Sequence, residues 1–157
     1  MSRWDEFAAE APELADAALA RLRAHKHLTI ATLRRDGSPR ISGIEFEIVD
    51  GDLQLGSMWQ AVKALDLLRD PRFALHSGSD DPPAWSGDAK IAGRAAELGE
   101  DAKARHRAAR GGEVPEGPWH LFGTDISEVV VVALNDARDK LVIQSWHEGS
   151  GVSRIER

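Results

Sequence analysis

The chain has 157 residues, a net charge of −6, 42% hydrophobic and 29% charged residues, and no cysteine. That length suits one domain over residues 1–157 with a core of its own. The acidic balance argues against general nucleic-acid or anionic-membrane binding, and the missing cysteine excludes disulfides, thiolate metal sites and a cysteine nucleophile. No apolar run approaches the roughly 18 residues of a membrane span. The acidic start, MSRWDEFAAEAPEL, lacks the basic and apolar regions of a signal peptide, so a cytoplasmic location is expected.

Residues 1–25 read as a helical segment. Pro12 stands near the start of the stretch Glu13 to Ala24, and Leu14, Ala18 and Leu22 recur on one face. The period then changes. LTIATL (Leu28 to Leu33) is a short β-branched run, Asp36-Gly37 marks a turn, and a second strand begins near Arg40. There Ile44, Phe46 and Ile48 alternate with Glu45 and Glu47, one face buried and one wet. Asp50-Gly51 is a second tight turn before a strand carrying Leu53 and Leu55. Turns this short join antiparallel strands.

The stretch Met58 to Arg69 has helical character and stops before Pro71. RFALHS (Arg72 to Ser77) is a fourth strand, GSDDPPAWSGD a loop, and Ala89 to Leu98 a fifth strand in which Gly93 marks a bulge or close backbone approach. Asp101 to Arg110 reads as a polar helix closed by Gly111-Gly112. After EVPEGP come Ile126 to Leu134 and Lys140 to Trp146, then a tail over 147–157. Six or seven antiparallel strands with a few flanking helices define a mainly β (α+β) chain, and closure into a split barrel would remove exposed edges.

The segment GDLQLGSMWQAVKALDLLRDPR carries the chemistry. A helix start offers unpaired N–H groups and the positive end of the dipole, a natural anion site. Ser57 and Gln60 have capping-box spacing, and Lys63 can lean back toward the same anion. Two readings stand. Either Ser57 caps a helix and Lys63 pairs with Asp66 at i+3, or the helix start and Lys63 hold an anion, joined by Arg40 if the second strand lies alongside.

Elsewhere the chemistry is sparse. The six histidines (His25, His27, His76, His106, His120, His147) show no metal-ligand spacing, and no serine sits in a nucleophile elbow. No catalytic residue and no metal ligand is assigned, so any hard chemistry has to come from a bound cofactor.

With a leading helix ahead of them, HLTIATLRRDGSPRISGIEF and GDLQLGSMWQAVKALDLLRDPRFAL resemble the pyridoxamine 5′-phosphate oxidase-like superfamily of flavin and deazaflavin split-barrel oxidoreductases. The signposts are ATL-x-x-DG-x-PR and K-x-x-x-LLRDPR; the late strands and the tail with Gly and Arg are similar to the deazaflavin-using branch. The resemblance implies a homodimer that binds FMN or F420 in a groove between subunits. It implies that Ser57, Met58, Trp59 and Lys63 take the cofactor phosphate and that the backbone of Ile41 to Ile44 runs beside the ring system, so that Arg40, Ile41 and Ser42 join the cofactor-binding residues, and that the partner's strands near Trp119, His120 and Trp146 close the groove. The implied activity is hydride transfer between FMN or F420 and a small conjugated substrate. The alternatives are a flavin, F420 or haem carrier of the same fold, with His76 or His120 as axial haem ligand, or a relative whose pocket has degenerated. No arginine lies between Ser57 and Lys63, and the chain has no tyrosine, which argues against vitamin B6 oxidation.

Overall fold

The computed structural model describes residues 2–114 and 116–157; Met1, and Pro115 of the EVPEGP loop, lie outside them. The helical segment at the start is two helices, α1 (Trp4–Glu10) and α2 (Pro12–Ala24), separated at Ala11. Proline at the first position of α2 is preset for a helix start. Leu14, Ala15, Ala18 and Leu22 form its buried face, while Trp4 and Phe7 anchor α1. The Phe7 ring lies 4.9 Å from that of Trp146, whose indole N–H donates to Glu10.

The strands follow in a meander: β1 (Leu28–Leu33), β2 (Pro39–Val49) and β3 (Asp52–Met58). Asp50 and Gly51 both have positive φ, 53° and 75°, the mirror-image turn that matches strand twist in a two-residue hairpin. Helix α3 (Val62–Arg69) then leads to β4 (Arg72–His76) and β5 (Asp88–Glu97). Helix α4 (Glu100–Ala109) precedes β6 (Trp119–Leu134), β7 (Leu141–His147) and β8 (Gly151–Glu156). All strand pairings are antiparallel, in the order β3-β2-β1-β4-β5-β6-β7-β8. A further β3–β6 pairing closes the first six strands into a barrel, and β7 and β8 extend it as a ribbon. The fold is the expected split barrel.

Three boundaries differ from the sequence reading. The tail over 147–157 contains an eighth strand, because its Gly149 makes the turn and Ser153 pairs with Ser145 at 2.8 Å. Strand β6 starts at Trp119 rather than Ile126, since its first residues pair with β3 to close the barrel. The α3 helix starts four residues later than the expected Met58. Gly93 does mark a bulge: the β5–β6 register shifts there, and a Cβ would lie 2.1 Å from the Asp125 carbonyl oxygen. The polar face of β2 is less wet than its alternation suggests. Glu45 is half-buried, with Arg110 at the end of α4 bonded to it at 2.7 Å.

Candidate functional site

The barrel splits between β2 and β3. Their ladder runs from Val49↔Asp52 to Glu45↔Gly56, and continuing it would set Gly43 opposite Met58. That pair does not form; β2 goes on pairing only with β1, through Ile44 to Pro39. Antiparallel alternation turns the backbone groups of Ile41 and Gly43 toward the gap. Met58 turns to it from the other side, because Gly56, two residues earlier, faces β2.

Helix α3 enters at this gap, and its start differs from the capped helix of the sequence reading. Ser57 is a buried β3 residue whose hydroxyl bonds the neighbouring Met58 carbonyl at 3.3 Å. No side chain caps α3. The capping box fails because Gln60 forms a left-handed turn, φ 54°, that delays the helix to Val62. As a result the amides of Val62 and Lys63 have no hydrogen-bond partner among the described residues. Lys63 now sits in the first turn. Its Nζ donates to the Gly43 carbonyl at 2.7 Å, taking the place of the missing β3 ladder bond.

The expected Lys63–Asp66 pair does not form. Asp66 is 2% exposed and belongs to another network. Thr32 Oγ1 donates to its Oδ2 at 2.8 Å, Arg40 Nε to the same oxygen at 2.7 Å, and Arg69 to Oδ1 at 3.0 Å. Burial pushes the Asp66 carboxyl up, but these hydrogen bonds and the Arg40 charge outweigh it and hold it below the usual carboxylate range. Lys63 has no such compensation, and desolvation lowers its ammonium below the usual lysine value. A half-buried cation without a carboxylate, beside two unbonded amides, is a donor set that fits an anion.

Around it the surface is apolar. Ile41 is 74%, Met58 79% and Trp59 52% exposed, and Val62, Leu65 and Leu68 line the outward side of α3. Ser42 is half-buried on β2. A Cβ on Gly43 would meet nothing within 4 Å, so the backbone there is open to a ligand.

Sequence reasoning missed what supports this rim. Trp59 stacks on His120, with ring centroids 4.7 Å apart and planes 11° apart. His120, 3% exposed, accepts the Gln60 amide on Nε2 at 3.2 Å and faces Glu97 through Nδ1 at 2.7 Å. Both ring nitrogens are therefore engaged, which removes His120 as an axial haem ligand. Trp146 and Trp119 are buried in their own chain, Trp146 against Phe7 and Trp119 beside His106 and under Lys103, so neither ring is presented to a partner's groove. Only the β3–β6 register, Ser57↔His120, brings the histidine to the site, and spacing gives no sign of it.

A barrel that closes through β3–β6 and parts between β2 and β3, with an uncapped helix start and Lys63 at the gap, belongs to the class of split β-barrels. Within that class, a sequence profile of the pyridoxamine 5′-phosphate oxidase family matches residues 14–135, and the chain belongs to that superfamily. No curated protein matches it in sequence. Among solved structures it is similar to PhzG from Burkholderia lata 383 in complex with tetrahydrophenazine-1-carboxylic acid, with a TM-score of 0.65 and 16% identity over 98% of this chain and 92% of that one. A pyridoxamine 5′-phosphate oxidase-related, FMN-binding protein from Nostoc punctiforme PCC 73102 gives 0.63 and 15%, covering 94% and 96%. A heme-binding protein from Mycobacterium smegmatis gives 0.57 and 16%, covering 89% and 86%. At these identities the likeness speaks to the fold.

Proposed function

We propose that the protein is an FMN- or F420-binding oxidoreductase whose cofactor phosphate sits at the start of α3. The observation that carries this reading is Lys63, which meets a backbone carbonyl and no carboxylate, beside the free amides of Val62 and Lys63. Lys63 supplies the counter-charge, with Arg40 on β2 bonded to Asp66 one turn along the helix, and Met58 and Trp59 form the apolar rim. Ser57 contributes through the strand it anchors, since its hydroxyl is buried. The free backbone edge at Ile41, Ser42 and Gly43 lies beside the ring system. The bound cofactor supplies hydride chemistry, to or from a small conjugated substrate; the chain positions it and keeps water out. The FMN-binding relative from Nostoc supports the flavin reading.

A homodimer is part of this reading. Six large apolar side chains (Ile41, Met58, Trp59, Val62, Leu65 and Leu68) stand exposed around one site, and a second copy would cover them and complete the pocket. A cytoplasmic location goes with it; among the described residues no helix is long and apolar enough to cross a membrane. The likeness to a heme-binding protein keeps a carrier as the contrast, with His76 the remaining candidate ligand.

The visible spectrum of the purified protein, followed by titration with FMN and with F420, tests the reading. Flavin or deazaflavin absorption, or saturable binding of either, supports it. A Soret band instead, or binding of neither cofactor, overturns it.

A further inference from the structure

His120 has its tautomer dictated from both sides. A neutral imidazole offers one N–H and one lone pair. Glu97 faces Nδ1 at 2.7 Å, and an ionised carboxylate only accepts, so Nδ1 carries the hydrogen. The Gln60 amide faces Nε2 at 3.2 Å, and an amide N–H only donates, so Nε2 is bare. The ring is 3% exposed, which leaves Nε2 no ready exchange of this partner for bulk water.

What Nε2 holds is a costly conformation. Gln60 has φ 54°, a left-handed backbone that a side chain disfavours. Its amide bond ties this turn to β6. The turn also carries Trp59, stacked on the imidazole at 4.7 Å, and it sets the start of α3 at Val62.

The groups around the ring are unequal toward charge. Glu97, on β5 and 38% exposed, is the carboxylate that faces it. From β3 comes Ser57, and from β6 itself Phe122, whose ring lies 6.1 Å away; neither titrates. The charged Lys63 and Asp66 of α3 are bonded to residues of β1 and β2 instead. Lys103 of α4 lies over Trp119, on the opposite face of β6. Glu97 and the Trp59 face both favour an imidazolium. The Gln60 bond does not survive it: a second proton goes to Nε2 and sets one N–H against another.

We propose that His120 is a proton-operated latch. Neutral, it holds the Gln60 amide and the left-handed turn at the rim of the β2–β3 gap. Protonated, it stays with Glu97 and Trp59 and releases the amide. The rim therefore has two states selected by pH, whatever the gap binds.

Nuclear magnetic resonance of ¹⁵N-labelled protein tests this, reading the charge and tautomer of His120 together with the exchange protection of the Gln60 amide, each rate taken relative to an unstructured amide at the same pH. Across the histidine range, wild type is expected to pass from a bare to a protonated Nε2. Gln60 protection should fall about tenfold in step, the scale of one neutral hydrogen bond. His120→Gln, whose side-chain carbonyl accepts the amide without titrating, should keep that protection level. Glu97→Gln removes the charge that favours the imidazolium and should move both changes to lower pH. A His120 that stays neutral throughout, a protonated Nε2 at the alkaline end, or Gln60 protection that ignores the charge on His120 overturns the inference. An equal fall in His120→Gln does so too. Where that variant does not fold, an unmoved transition in Glu97→Gln overturns it alone.

Discussion

Cations gather at two places on this barrel, and they differ in what those cations hold. In a cleft of about 350 Å³ between the end of α2, β2 and α4, Arg110 bonds Glu45 at 2.7 Å, Lys26 lies 3.9 Å from the same acid, and Arg23 lies 3.8 Å from Glu47. At the start of α3 stands a lysine that meets only a backbone carbonyl, next to two unbonded amides. The more charged cleft is already satisfied internally. Unmet donors, rather than the number of cations, mark the place where an anion would bind.

The sharpest way to break this contrast acts on the acids. Asp66→Ala leaves Arg40, Arg69 and Thr32 without their buried acceptor and should cost about 3–5 kcal/mol in urea unfolding. Glu45→Ala, whose half-buried acid still reaches water, should cost less, about 1–2 kcal/mol. Similar costs would mean that the two networks are alike. The acids also differ with pH. The Asp66 carboxyl is held below its unfolded value, so its contribution is present above the ordinary carboxylate range and is lost as pH falls through the folded value. The stability gap between wild type and Asp66→Asn should therefore close as pH falls below the ordinary carboxylate range; a gap independent of pH would contradict the charged network.

The next effect separates binding from stability. Lys63→Met should weaken the phosphorylated cofactor by about tenfold or more, the scale of one charge-assisted hydrogen bond. It should leave the melting temperature level or slightly higher, because it removes a desolvated charge. Arg110→Met, in the cleft, should leave cofactor affinity within about twofold, since a rim charge away from the ligand carries little. The reverse ranking in a titration would move the site to the cleft.

The smallest effect concerns the turn that uncaps the helix. Gln60 sits at φ 54°, held by the His120 acceptor. Gln60→Gly keeps that amide bond, removes about 1–2 kcal/mol of left-handed strain and adds about 0.5–1 kcal/mol of chain entropy cost. A net gain of up to about 1.5 kcal/mol is expected in thermal unfolding; a loss would show that the glutamine side chain does more than fill the turn.

The strands were legible because their signals are local. LTIATL, the Asp36-Gly37 and Asp50-Gly51 turns and the Gly93 bulge each lie within a few residues of the structure they cause. That Lys63 lies near the start of a helix following a strand was likewise legible. What escaped depended on partners distant in sequence. Ser57 and Gln60 have capping-box spacing, but His120, brought across by β6, takes the Gln60 amide and shifts the helix start. Asp66 looked like a partner for Lys63 on a solvated face; the β1–β2 hairpin instead brings Thr32 and Arg40 to it and buries it. Trp146 was placed near the groove, yet α1 folds Phe7 over it.

The central claim is that the start of α3 grips a cofactor phosphate, and the most direct measurement is the dissociation constant of wild-type protein for FMN and F420 set against riboflavin in the same buffer. A phosphorylated cofactor that binds at least about tenfold tighter than riboflavin, with inorganic phosphate competing, is the predicted result. Riboflavin binding as tightly as either phosphorylated cofactor, with no competition by phosphate, would contradict it.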